Sequence, residues 1–206
     1  MNIQWLGQEL PYRQVYDQMK ELLLKRINGQ IEDQLLLLEH QPVYTVGRAR
    51  NAMQNLLNPD GLPIEQIERG GDVTFHGTGQ LTGYPIVKLP VLDIHAYLRF
   101  LELFWIKELQ QHQITASRDD RNTGVWVDGK KMVAIGVAMR RQVCWHGFAC
   151  NLTTDLQYFQ NINPCGMSAD LVTRWQDHQP APNMNEYALE VGERFRDAWM
   201  TWCNKY

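Results

Sequence analysis

The chain has 206 residues, 44% of them hydrophobic, with 20 basic and 23 acidic residues giving a formal net charge of −3 at pH 7. That length carries one sizeable domain with a real core, and the weakly acidic balance gives no electrostatic support to a nucleic-acid partner. The opening residues, MNIQWLGQELPYRQ, lack a basic stretch followed by an apolar one, and the longest apolar run, Leu35 to Leu38, is far too short to span a bilayer. The expectation is a cytoplasmic protein with no membrane partner.

Residues 13 to 27 carry apolar side chains at helical spacing (Val15, Met19, Leu22, Leu23) and predict an amphipathic helix that stops near Asn28-Gly29. Leu35 to Leu38 predict a buried strand, and Val43 to Val46 a second one after Pro42. Residues 51 to 63 read as a polar loop, with 63 to 68 leading into the next strand. The stretch RGGDVTFHGTGQLTGYP (69–85) packs five glycines among β-formers and predicts strand–loop–strand with backbone close to a bound ligand. It lacks the third glycine of G-x-G-x-x-G, since position 82 is Thr82, and contains no G-x-x-x-x-G-K-[ST], so neither familiar nucleotide site is supported.

Residues 86 to 89 read as a strand ended by Pro90. The clearest helix is 93 to 112, capped by Asp93, with Ala96, Leu98, Leu101, Phe104, Trp105 and Leu109 on its apolar face. Strands follow at 124–127, 132–139 and 143–149, the first two joined by an Asp128-Gly129 hairpin turn. Residues 151 to 168 are loop-like. A last helix is expected over 185–203, with Leu189, Phe195, Trp199 and Trp202 inward. The fold class is α/β (α+β): a single domain, residues 1–206, with a mixed, largely antiparallel sheet flanked by helices.

There are four cysteines, Cys144, Cys150, Cys165 and Cys203, with no C-x-x-C pair and no zinc spacing, so reduced thiols and no metal site are expected. Cys165, in the loop tripeptide Pro164-Cys165-Gly166, is the candidate nucleophile. A thiol acts as its thiolate, which a neighbouring cation favours. Alternation through Lys131, Val133, Ile135 and Val137 turns Lys131 inward and Lys130 to solvent. A one-residue shift of register would leave both lysines solvated. His76 and His146 are alternative partners for a thiol, as in a cysteine hydrolase.

Six segments in order, LLLLEHQPVYTVGR (35–48), RGGDVTFHGTGQLTGYPI (69–86), TGVWV (123–127), KMVAIGV (131–137), HGFACNL (146–152) and INPCGM (162–167), resemble the lipoyl(octanoyl) transferases, also called lipoate–protein ligase B. The resemblance implies the biotin/lipoate ligase fold and an acyltransferase of lipoate biosynthesis that needs no cofactor. Its donor is octanoyl-acyl carrier protein. Its acceptors are lysines of the lipoyl domains of 2-oxo acid dehydrogenases and of the glycine cleavage H protein. The family's nucleophile falls on Cys165 and its partner lysine on Lys131. Its acyl-binding residues fall on Arg69, Gly70, Gly71, Asp72, Val73, Thr74, Phe75 and His76, on Ala134, Ile135 and Gly136, and on Gly147, Phe148 and Ala149. Val73, Phe75, Ile135 and Phe148 are the expected walls of an apolar slot. The chain departs from the family at Thr78, where proline is usual, and at Cys150, where an aliphatic residue is usual. Two other readings need different chemistry: an ATP-dependent ligase that adenylates a free acid, and a non-catalytic carrier-binding module.

Overall fold

A computed structural model describes residues 1–163 and 168–206. Three helices, α1 (Tyr12–Ile27), α2 (Ile94–Gln111) and α3 (Met184–Cys203), pack against two sheets. The larger sheet orders β1 (Asn2–Trp5), β2 (Gln34–Leu38), β6 (Gln80–Lys88), β9 (Val143–Asn151), β8 (Lys130–Arg140) and β7 (Gly124–Val127). Only its β1–β2 edge is parallel; the other pairings are antiparallel. The smaller sheet orders β4 (Ile64–Gln66), β3 (Val43–Val46) and β5 (Val73–His76), with β3 antiparallel to β5 and parallel to β4. This is the single mixed, largely antiparallel α/β domain that the sequence predicts.

Local chemistry explains the element ends. The Asp93 carboxylate accepts from the Ala96 amide and caps α2, and Asn183 does the same for α3 through Asn185 and Glu186. Asp128 and Gly129 both take positive φ, 50° and 75°, which matches the twist of the β7–β8 hairpin. β6 starts well before the expected residue 86, because Thr82 and Gly83 already pair with both β2 and β9. β1 carries no alternation strong enough to announce it; it forms by pairing with β2.

All nine residues of β9 are buried, because helices cover both faces of the sheet. On one face α2 and α3 close the main core, with Tyr97, Leu101, Trp105, Phe195 and Trp199 against Leu35, Leu37, Val133 and Cys144. On the other, α1 packs Tyr12, Val15, Tyr16 and Met19 against Leu36, Tyr84, Ile86 and Trp145. Leu189, expected inward, is 55% exposed: the inward stripe of α3 runs through Tyr187, Ala188, Val191 and Phe195, and residue 189 lies off it. Glu102 and Glu108, on the buried side of α2, escape notice in a hydrophobic count. Glu108 is held by Arg194 at 2.7 Å and by the Tyr187 hydroxyl at 3.1 Å.

Phe195 is fully buried, with its ring edge-on to Phe104 at 5.0 Å and to Phe100 at 5.6 Å. Phe195→Ala is expected to destabilise the fold by about 3–5 kcal/mol through lost transfer energy and an unfilled cavity. Urea unfolding of the two proteins, compared at equal m-value, checks this.

Candidate active site

A cleft opens where the smaller sheet meets β8 and β9. Its apolar walls are Ile67, Val73, Ile135, Phe148, Phe159 and Val172. Of the sixteen residues named in advance, fourteen line it: Lys131, Arg69 through Thr74, His76, Ala134 to Gly136, and Gly147 to Ala149. Phe75 does not. Its ring stacks on Tyr158 at 4.4 Å and sits in the satellite core with Tyr44 and Phe159. Cys165 lies outside the described residues. The flanking chain reaches the cleft through Ser168, Leu171 and Val172.

Lys131 is 7% exposed and Lys130 is exposed, so the lysine turns inward as expected. Its face is not the one expected. Trp126 pairs with Lys131 and Val125 with Val133, so Met132 is an extra residue in β8. Such a bulge shifts the alternation by one position. Val133 and Val137 therefore enter the main core, while Lys131 shares the cleft with Ala134 and Gly136. The Lys131 ammonium stands over the Trp126 ring, 5.1 Å from its centroid, and its carbonyl accepts from the Thr173 amide. Cation–π contact favours the charged amine.

Arg69 is buried at the other end. Its guanidinium donates to the Thr45 carbonyl and hydroxyl, both at 2.9 Å, and to the Gly70 carbonyl at 3.1 Å. Its side chain lies along Gly136, where a Cβ would stand 3.1 Å from Arg69 Cδ and 3.2 Å from the Gly70 carbonyl oxygen, so a larger residue here has to displace them by a few tenths of an ångström. Around it gather Tyr12, Tyr84, His76 and His146, with His40 behind. His40 Nε2 shares a hydrogen bond of 2.8 Å with the Tyr84 hydroxyl. His76 Nδ1 bonds Gln80 Oε1 at 2.7 Å, and Gln80 in turn donates to Asn151. Tyr12, Gln80, Tyr84 and Asn151 were not expected at the site. Tyrosines on a helix and in a strand read as core, and only the fold brings them to the glycine-rich block.

The other cysteines are packing groups. Burial pushes the Cys144 thiol up to about 12 and Cys203 to about 11, and raises Cys150 as well, so none is a ready thiolate. Among the described residues no three His, Cys, Asp or Glu side chains gather as a metal would need. No helix among them is long and apolar enough to cross a membrane.

The family model for the lipoyl protein ligase A/B catalytic domain matches residues 11–196. An octanoyltransferase of Rubrobacter xylanophilus is 48% identical over 164 residues, covering 76% of this chain and 74% of that protein. An octanoyltransferase of Geotalea uraniireducens is 41% identical over 198 residues, covering 95% and 91%. The chain belongs to the lipoyl protein ligase A/B catalytic family and, within it, to the octanoyltransferases. Solved structures agree on the fold. A lipoate-protein ligase A bound with ATP superposes with a TM-score of 0.75 at 16% identity, covering 97% of this chain and 86% of that one. The biotin protein ligase of Aquifex aeolicus gives 0.59 at 13%, covering 100% and 71%.

The octanoyltransferase carries a pH liability in this cleft. Burial lowers His40 to about 4 and His146 to about 3, and lowers His76 well below 6.5, with neighbouring His40 and Arg69 adding to the last. The native state therefore holds these imidazoles neutral, while the unfolded chain protonates them below about 6.5. Unfolding takes up protons between pH 6.5 and about 4, so stability falls as pH falls through that window. Near pH 5 the three histidines contribute between two and three protons, on the order of 3–4 kcal/mol per pH unit. Urea midpoints from pH 7 to 5 check this, and His146→Phe should flatten the slope by about one proton.

Proposed function

We propose that this octanoyltransferase takes octanoyl from octanoyl-acyl carrier protein onto Cys165 and passes it to a lysine of a lipoyl domain, acting in the cytoplasm. The observation that carries the reading is Lys131, a buried lysine in the wall of the cleft that Ile135, Phe148, Phe159 and Val172 also line. A buried amine is costly unless its charge is used. Three peptide steps join Cys165 to Ser168, at most about 11 Å of chain, and Ser168 lines the cleft that holds Lys131.

The chemistry balances without nucleotide. The Cys165 thiolate, stabilised by the Lys131 ammonium, attacks the thioester carbonyl of the donor. The tetrahedral adduct collapses, the C–S bond to the carrier breaks, and Lys131 gives its proton to the departing thiolate. The acyl group now rests on Cys165 as a thioester, and Lys131 is neutral. An acceptor lysine in water has a pKa of about 10.4 and is almost wholly protonated at pH 7. The acceptor first loses its ammonium proton to water; as the neutral amine attacks the acyl-enzyme, Lys131 takes the second proton from the tetrahedral adduct. The amide forms, Cys165 leaves as thiolate, and the starting charges are restored. Ile135, Phe148 and Val73 give the acyl chain an apolar bed.

Octanoyl carrier protein and apo lipoyl domain should give octanoyl-lysine with no ATP or Mg²⁺. A requirement for ATP with free octanoate, and no transfer from the carrier, would instead make the chain an adenylating ligase.

A further inference from the structure

Strand β7 forms a seat for the Lys131 side chain. Gly124 and Trp126 lie two positions apart on it and share one face, while Val125 between them enters the main core. The extra residue in β8 sets Lys131 directly opposite Trp126. A Cβ at Gly124 would stand 3.1 Å from Lys131 Cε and 3.3 Å from its Cδ, so the lysine stem crosses β7 where a larger residue would crowd it. Gly124 also takes φ 144°, a conformation that side chains rarely allow.

The ring that receives the ammonium is itself fixed. Trp126 is buried, its backbone N–H and C=O both bond Ser117 at 2.9 Å, and its indole N–H donates to the Asn122 carbonyl at 3.3 Å. Lys131 Nζ stands 5.1 Å from the ring centroid, and the Arg121 guanidinium stands 4.6 Å from it. The Arg121 charge is offset by Asp119, which it meets at 2.6 and 2.8 Å. Behind Gly124, the Glu102 carboxylate accepts from the Gly124 amide at 3.2 Å and pairs with Arg99 at 2.6 Å. Indole offers the best cation–π face of any side chain, and loss of water strengthens the contact.

We propose that Gly124 and Trp126 are positioning residues for octanoyl transfer: the gap at one and the indole face of the other hold the Lys131 ammonium at a single place in the cleft wall. This rests on the reading that Lys131 serves the transfer, under which one amine stabilises a thiolate and later accepts a proton. A flexible four-carbon stem left free would sample many rotamers and spread its charge through the cleft. The gap at Gly124 and the fixed ring remove that freedom. The ring also favours the ammonium over the neutral amine, and the ammonium is the form in which each cycle starts and ends.

The test is NMR of the full chain labelled with carbon-13 at lysine Cε, where the Lys131 signal is the one missing from Lys131→Ala. In wild type the attached protons should be shifted upfield by the indole ring current. Trp126→Leu should remove that shift and lower the Lys131 titration midpoint by about 0.5–1.5 pH units. Trp126→Phe, which keeps a ring, should fall between the two. Transfer from octanoyl carrier protein to the lipoyl domain should drop about tenfold in kcat in Trp126→Leu, with the KM for the acceptor unchanged. In the Lys131→Ala background the same change should cost nothing further. An unshifted Lys131 signal in wild type overturns the proposal and needs no variant to fold. So does an unchanged midpoint in Trp126→Leu, or a full tenfold loss added to that of Lys131→Ala. Wild-type transfer in Lys131→Ala, with the ring-current shift and the midpoint change both present, defeats the proposed function alone; Lys131-dependent transfer without the ring-current shift defeats the seat alone.

Discussion

Lys131→Ala is expected to lower octanoyl transfer by about 10²–10⁴-fold while the protein still folds, the range for loss of a placed acid–base group. Lys131 lies on a strand paired on both sides, and its backbone bonds survive truncation. The two half-reactions should suffer differently. Formation of the acyl-enzyme loses the cation that favours thiolate, and raising the pH should recover part of it. Transfer to the acceptor loses its proton acceptor. Single-turnover rates across pH 7 to 9, with circular dichroism to confirm folding, separate the two. Lys131→Arg tests the same point differently: it keeps the charge but has no neutral form to serve as base. It should therefore acylate better than it transfers. Wild-type rates in Lys131→Ala would remove the lysine from the chemistry.

Cys165 gives the second large effect. Cys165→Ala should leave no covalent acyl-enzyme and no transfer above background, because the two-step route has lost its carrier. Cys165→Ser should form no thioester, and its hydroxyl, far less acidic than a thiol, is a poor substitute at neutral pH. Neither change touches Cys144 or Cys150, whose burial in the main core raises both thiols. Iodoacetamide at neutral pH should modify the wild type chiefly at Cys165, as peptide mapping will show.

Much of this was legible in the sequence, for identifiable reasons. Helix α2 announces itself by an N-cap and a full apolar stripe, and the β7–β8 hairpin by Asp128-Gly129. The inward turn of Lys131 was legible too, though alternation gave it the company of Val133 and Val137. A single bulge at Met132 reverses that, and nothing in the run KKMVAIGV marks the extra residue. Phe75 was expected against the ligand because it sits in the glycine-rich block. Alternation on β5 instead buries its ring with Tyr44 and Tyr158, while Thr74 and His76 line the cleft. The Tyr12, His40 and Tyr84 cluster was not legible at all. Its members come from a helix, a loop and a strand far apart in sequence, and each taken singly reads as core.

The role of Cys165 as acyl carrier is the claim on which the rest depends, and intact mass tests it most directly. Wild-type protein mixed with octanoyl-acyl carrier protein, without an acceptor, should gain a single octanoyl group that hydroxylamine removes and that peptide mapping places on Cys165. The same group, gained equally by Cys165→Ala, would contradict the account.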